Sequence, residues 1–333
     1  MRFLAEYIWI GGNNELRSKC RVLDLPNNFH LPNWNYDGSS TGQASGSDSE
    51  IMIIPRKTFP CSFRKGINVL ALCDTYHMNG EPHTTNTRVI AENIFNKKIY
   101  EHPWFGLEQE YFLINLETGL PLGCEKGIPK QGQFYCSVGS GNALGRPLVE
   151  EHLEACLYAG LKIGGINAEV APGQWEFQIG PCEGIEAGDH LWIARYILER
   201  LSEKYGYRVD YSPKLSSEIN GSGCHCNYST KDMRHGNIRN TGLVFIENAI
   251  EKLSEKHKEH MEVYGKGNEL RMIGVHETAK YDEFSFGRAN RGASVRIPNN
   301  TIVEQKGYFE DRRPAANCDP YLVTSKIYET TCL

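Results

Sequence analysis

Short apolar runs separated by turn-forming clusters fill the first eighty residues, and no long helical period appears among them. Residues 7–10, 19–23, 50–54 and 69–73 are rich in β-branched and aromatic side chains and read as strands of a small sheet domain. Between the second and third lies 33–49, a polar, glycine- and serine-rich stretch that carries Asp37. Its leading Trp34 and Tyr36 predict an ordered loop. Residues 77–87, dense in Gly, Pro, Thr and Asn, mark a crossover into a second region. Helices are predicted over 87–98, over 146–159 with Pro147 in the first turn, and over 186–205 with Leu191, Ala194, Ile197, Leu198 and Leu201 on one stripe. Another is predicted over 241–263, where Leu243, Ile246, Ile250 and Leu253 oppose a densely charged face that reads as solvated. Strands and helices are segregated rather than strictly alternating, which predicts an α+β fold with domains at 1–80 and 81–333.

Composition excludes several classes. The 333 residues are 40% hydrophobic and 23% charged, with a net charge of −5 spread along the chain, which favours neither a nucleic-acid nor a membrane-surface role. No stretch approaches the roughly 20 apolar residues of a membrane-spanning helix, so a cytoplasmic protein is expected. Eleven cysteines without framework spacing read as reduced thiols. Cys224-His225-Cys226 lacks the second cysteine-rich knuckle that a zinc site needs.

Four glutamates carry the strongest chemical signal. Glu108 and Glu110 lie in Gly106-Leu-Glu-Gln-Glu-Tyr-Phe-Leu-Ile114, a strand-like run whose period of two places both carboxylates on one face. Glu169 and Glu176 flank Pro172-Gly173, which suits the centre of a type II turn. A two-residue hairpin there would pair Val170 with Trp175 and Glu169 with Glu176. Facing carboxylates cost stability unless a cation lies between them, and hard oxygen donors suit Mg²⁺ or Mn²⁺. Solvent-facing glutamates on edge strands would be the plain alternative, but Trp104, Phe105, Tyr111, Trp175 and Phe177 argue for a buried setting.

Further along, Asn220-Gly-Ser-Gly-Cys-His225 joins a glycine-rich turn to a histidine that could complete a metal site or bind a phosphate. Arg271, Arg291, Arg296, Arg312 and Arg313 fall close together, and Glu310 stands among them as a fifth carboxylate. Arginine suits bidentate contact with carboxylate and phosphate, although five surface ion-pair partners would look the same. The alternating segment 290–298 favours a site, and carboxylates ringed by arginines describe metal-nucleotide phosphoryl transfer without a P-loop sequence.

Seven segments in order closely resemble the eukaryotic-type glutamine synthetases: 34–42, 106–111, 168–178, 220–225, 275–278, 290–298 and 308–314. The resemblance implies an N-terminal β-grasp domain, a larger catalytic domain with a curved antiparallel sheet and flanking helices, and a double ring of five subunits each. It implies ATP-dependent formation of L-glutamine from L-glutamate and ammonium through a γ-glutamyl phosphate. Glu108, His225 and Glu310 resemble the ligands of one Mg²⁺ or Mn²⁺, and Glu110, Glu169 and Glu176 those of a second. Trp104, Ser229, Arg291, Arg296 and Tyr308 match ATP-contacting positions. Arg271, Arg291, Arg312, Asn220 and Gly221 match the glutamate-binding set. Asp37 resembles the carboxylate that reaches a neighbouring subunit's site and takes a proton from ammonium, and Glu277 the flap residue that closes over the intermediate.

Two departures stand out: Ile219-Asn-Gly-Ser-Gly223 replaces the family's usual Trp-Asn-Gly-Ala-Gly, and Ala171 stands where Met is common. Neither removes a ligand. A silent structural relative would lack a metal carboxylate, an arginine, Asp37 or Glu277, and none is missing. A γ-glutamyl ligase for a bulkier amine would need more room and less negative charge than Asp37 supplies.

Overall fold

The computed structural model describes residues 1–24, 30–275 and 278–333. Internal contacts divide the chain into two compact units, one of residues 1–91 with 154–161, the other of 92–153 with 162–333.

The first unit holds β1 (Arg2–Ile10), β2 (Leu16–Asp24), β3 (Trp34–Asp37), β4 (Glu50–Pro60) and β5 (Val69–His77), in the sheet order β2-β1-β5-β4-β3. Only the β1–β5 pairing is parallel. Alternate residues Phe3, Ala5, Tyr7 and Trp9 of β1 face one way and join Tyr36, Ile51, Ile53 and Ala71 in a core. The strands extend beyond the predicted runs, and the stretch expected to be one loop contributes β3, which pairs Trp34–Asp37 with β4. Pro55 cannot donate to a ladder, and the register of β4 on β5 shifts between Pro55 and Lys57.

Thereafter the chain runs α1 (Thr87–Phe95), β6 (Trp104–Asn115), α2 (Arg146–Tyr158), β7 (Ile163–Ala168), β8 (Gln174–Glu183), α3 (Glu186–Tyr205), β9 (Tyr207–Asp210), β10 (Cys224–Ser229) and α4 (Lys231–His235). It continues with α5 (Gly242–Glu255), α6 (His257–Met261), β11 (Phe286–Arg288), β12 (Val295–Ile297), α7 (Asn299–Glu304), β13 (Phe309–Asp311) and α8 (Pro320–Cys332). The second sheet has the order β11-β12-β13-β10-β6-β8-β7, with β9 also on β6. All its pairings are antiparallel except β11–β12. The predicted α+β class is the observed one.

Alternation along β6, β8 and β10 sorts the side chains into two populations. Leu107, Tyr111, Trp175, Phe177, Ile179 and Cys226 are buried on the face that α3 covers, and the carboxylates lie on the other. The predicted helix over 241–263 is two helices, interrupted at Lys256 with φ −104° and ψ 13°. Beyond the break, His257 Nε2 donates to Tyr281 O (2.9 Å) and its Nδ1 accepts from Arg313 (3.0 Å), while His260 is buried against Tyr264 (2.7 Å). These tertiary contacts override the continuous local period.

Candidate active site

The hairpin between β7 and β8 differs from its expected register. Pro172-Gly173 does form the turn: Gly173 has φ 67° and Gln174 N donates to Ala171 O at 3.2 Å. The ladder, however, pairs Ala168 with Trp175 and Asn167 with Glu176, two residues away from the expected pairing. A type II turn does not share the twist of paired strands, so the strands splay and close further out, leaving Val170 and Ala171 in the loop. A slip of two residues preserves the face of every side chain. Glu169 and Glu176 therefore remain on one side, although the directly opposed carboxylates are Glu110 and Glu176, across β6 and β8.

The same alternation assembles the rest. Glu108 lies opposite His225 on β10 and Gln178 on β8, while Glu310 on β13 lies opposite Asn227 and Arg296. Two groups of donor atoms result, Glu108 with His225 and Glu310, and Glu110 with Glu169 and Glu176, each with its atoms within 4.8 Å of one another. In the first, His225 Nδ1 lies 3.4 Å from Glu108 and 3.6 Å from Glu310. Asn227 donates to Glu108 at 2.7 Å, while Arg296 and Arg312 both pair with the fully buried Glu310, the latter at 2.7 Å. In the second, Gly223 N donates to Glu110 at 2.9 Å, Asn167 to Glu169 at 3.2 Å, and Gln178 to Glu176.

Electrostatics separate the groups. Burial raises the Glu110 carboxyl well above its ordinary value, and the neighbouring charges of Glu169 and Glu176 add to the rise. Burial, then Glu108 and Glu169, push Glu176 up to about 8. Glu169 is raised by burial, opposed by the Val170 amide, Asn167 and Arg291. His225 is depressed by burial and by Arg312, which leaves a neutral ring able to offer a lone pair. Both donor sets fit a divalent cation: each combines clustered oxygen donors, and the second concentrates three acids that Arg271 and Arg291 only partly oppose.

Two cavities meet here. One of about 250 Å³ is polar and takes Asn220, Gly221, Arg271, Arg291 and Arg312 together with all six donor residues. The other, about 510 Å³ and more apolar, takes Trp104, Ser229 and Tyr308. Glu108 and Gln178 belong to both. Arg291 and Arg296, matched by resemblance to ATP contacts, lie in the polar cavity and not in the apolar one.

Buried Arg271 is fixed by Asn268 (3.0 Å) and by the carbonyls of Arg312 (3.1 Å), Arg313 (2.7 Å) and Pro314 (3.2 Å). Burial lowers its pKa to about 10, with Arg312 adding to the fall and Glu110 opposing it. The glycines of 220–223 make room for this side chain. A Cβ on Gly221 would stand 2.4 Å from Arg271 Cγ and 2.5 Å from Pro213 O, and one on Gly223 2.7 Å from His225 Nε2.

One arginine departs from its expected grouping, and some members went unforeseen. Arg313, grouped with the site arginines, lies just past the end of β13 and forms a fully buried pair with Asp311 at 2.7 Å, whereas Arg312 pairs with Glu310. Asp37 belongs to the first unit, where its exposed carboxylate accepts from Ser39 N (3.0 Å), Ser39 Oγ (2.6 Å) and Ser40 Oγ (2.8 Å). Those hydrogen bonds lower its pKa. Glu277 lies outside the described residues. Arg234 was not anticipated: its guanidinium lies 3.9 Å from the Trp104 ring centroid and donates to Ser229 O and Oγ, both at 3.0 Å. Gln174 and Gln178, within the 168–178 segment, are further members; their place on the Glu176 face was readable from the period of two.

The chain is similar to known proteins over nearly its whole length. The family model described as the glutamine synthetase catalytic domain matches residues 82–259. A chain from Acanthamoeba polyphaga mimivirus, named provisionally for that enzyme, is 57% identical over 336 residues, covering 99% of this chain and 94% of its own. The cytosolic isozyme 1-3 of glutamine synthetase from Arabidopsis thaliana is 54% identical over 340 residues, covering 100% of this chain and 95% of its own. Among solved structures, GmaS in an ADP complex shares the fold with a TM-score of 0.75 at 18% identity, over 99% of this chain and 77% of that one.

Proposed function

Because this chain belongs to the glutamine synthetase family, we propose that its two adjoining cavities carry out the family's reaction, the ATP-dependent ligation of glutamate and ammonia into glutamine, through the residues that line them. The observation that carries this assignment is the pair of donor groups on one sheet face, set where a polar, arginine-lined cavity meets an apolar one. ATP would occupy the apolar cavity against Trp104, Tyr308 and Ser229, with its phosphates directed past Glu108 towards Arg291 and Arg296. Glutamate would occupy the polar cavity, its carboxylates met by Arg271, Arg291 and Arg312 and its amino group by the backbone around Asn220 and Gly221.

A carboxylate is a poor electrophile, so an oxygen of the γ-carboxylate attacks the terminal phosphorus and ADP leaves, giving an acyl phosphate. Arg291, Arg296 and Arg312 would spread the charge of the transferring group. Magnesium or manganese held by Glu108, His225 and Glu310, and by Glu110, Glu169 and Glu176, would supply further charge neutralisation at the phosphate oxygens. Ammonium must lose a proton before its nitrogen can attack the acyl carbon and expel phosphate. Asp37 of a neighbouring copy, kept ionised by Ser39 and Ser40, would attract ammonium and receive that proton. Glu277 would close over the acyl phosphate and limit its hydrolysis.

The family's arrangement of a β-grasp domain over 1–80, a catalytic domain over 81–333 and a double ring of five is part of this proposal. A cytoplasmic location is supported by the relatives named as cytosolic isozymes. No helix among the described residues is long and apolar enough to cross a membrane.

The test is ADP release by the purified protein with ATP, Mg²⁺ and glutamate, with and without ammonium, while glutamine is followed. Ammonium-dependent ADP release matched by glutamine is expected. Turnover only with another amine would replace the ammonia assignment, and silence with every amine would remove the catalytic one.

A further inference from the structure

Ser222 is fully buried, and its hydroxyl lies against Gln174, whose amide also reaches Glu110 of the second donor group. Gln174, almost fully buried on β8, is oriented by its two ends: Oε1 accepts from Ala171 N at 3.4 Å, and Nε2 points towards three acceptors. Those acceptors are Gly221 O at 3.1 Å, Ser222 Oγ at 3.2 Å and Glu110 Oε2 at 3.4 Å. An amide nitrogen has two hydrogens, so three acceptors compete for them. The two shorter contacts go to Gly221 and Ser222, and Glu110 receives the longest.

We propose that the Ser222 hydroxyl is a positioning group of this chain, which draws the Gln174 amide away from Glu110 and so leaves Oε2 available to a divalent cation. Oε2 already accepts from Gly223 N at 2.9 Å. A carboxylate oxygen has two lone-pair sites, so a second strong donor on Oε2 would occupy the one a metal needs. Alanine at 222 removes the competing acceptor, and the amide then turns to Glu110. The effect is local to one donor group, because Glu108, His225 and Glu310 make no hydrogen bond with Gln174. This inference rests on reading Glu110, Glu169 and Glu176 as a metal site.

The experiment is Mn²⁺ titration of the full-length protein without nucleotide or glutamate, followed by calorimetry, for the wild type, Glu110→Gln, Ser222→Ala and Ser222→Cys. A thiol more than fills the volume of the hydroxyl but accepts hydrogen bonds weakly, so the cysteine variant, which leaves no cavity, separates acceptor loss from cavity formation. Expected is a class of Mn²⁺ sites that Glu110→Gln abolishes and that both Ser222 variants weaken by about 3- to 10-fold, with the other class unchanged. The metal-free melting temperature should stay within about 2 °C of the wild type. In a Gln174→Met background the Ser222 substitution should have no further effect on Mn²⁺ binding. Unchanged or tighter affinity, equal weakening of both classes, or a persistent effect in the Gln174→Met background overturns the role of Ser222 alone. A wild type without any Glu110-dependent Mn²⁺ class overturns the metal reading and this inference with it.

Discussion

Glu110 stands directly opposite Glu176 in the antiparallel ladder of β6 and β8, so two buried carboxylates occupy one cross-strand position. Like charges so placed destabilise a sheet. Burial of Glu176, with the charges of Glu108 and Glu169 beside it, sets the first expectation. Glu176 is raised from 4.5 to about 8, so the folded, metal-free protein holds a proton there that the unfolded chain releases. That contribution to stability is fully present below pH 4.5 and is lost as pH rises through about 8. With a chelator present, the melting temperature should therefore fall from pH 5 to pH 8. Saturating Mg²⁺ should flatten this fall, and its binding at pH 7 should release protons measurable in weakly buffered calorimetry.

Glu176→Gln removes one charge while keeping the shape and an oxygen acceptor. The metal-free protein should melt higher than the wild type at pH 8. Stabilisation by Mg²⁺ should shrink, and glutamine formation should fall by at least about 100-fold. A loss of activity with undiminished Mg²⁺ stabilisation would contradict the assignment of Glu176.

Arg271→Lys keeps the charge but loses the planar fork that holds Asn268 and three carbonyls at once. The expected result is a rise of about 10- to 100-fold in the KM for glutamate, a smaller change for ATP, and about 2–4 kcal/mol less stability in urea unfolding. Gly221→Ala should mimic the glutamate defect, because its methyl would displace the same side chain. Unaltered glutamate kinetics in both variants would separate this arginine from substrate binding.

Asp37→Ala should spare binding of ATP and glutamate while raising the ammonium concentration needed for half-maximal rate. Steady-state kinetics varying each substrate in turn would check it. Equal losses for all three substrates would argue for a general structural part instead.

Legibility in the sequence followed the range of the forces involved. Which face Glu108 and Glu110 share follows from the period of two, and the face of Glu169 and Glu176 survived a register error because that error was an even number of residues. The register itself depended on how a type II turn splays its strands. Arg312 and Arg313 look alike in sequence, yet just past the end of β13 they turn to opposite sides, one to Glu310 and the other to Asp311. Lys256 interrupts the charged helix for a reason held far away, in the hydrogen bonds of His257 and the burial of His260 against residues of other elements. Arg234 went unseen because its partner Trp104 is distant in the chain and nothing local announces the pair. Helix α8 was missed despite a readable start, in which Asp319 caps Tyr321 N at 2.9 Å and Pro320 fills the first turn.

Glu108 and Gln178 are the common wall of the two cavities, whereas Trp104, Arg234 and Lys306 belong only to one and Glu110, Arg271 and Arg312 only to the other. In the proposed reaction the nucleotide base and the activated acid would therefore lie in different chambers, and what would cross the partition is one phosphoryl group. The energy of the nucleotide would then be held as an acyl phosphate on the polar side, among arginines that do not line the chamber of the base.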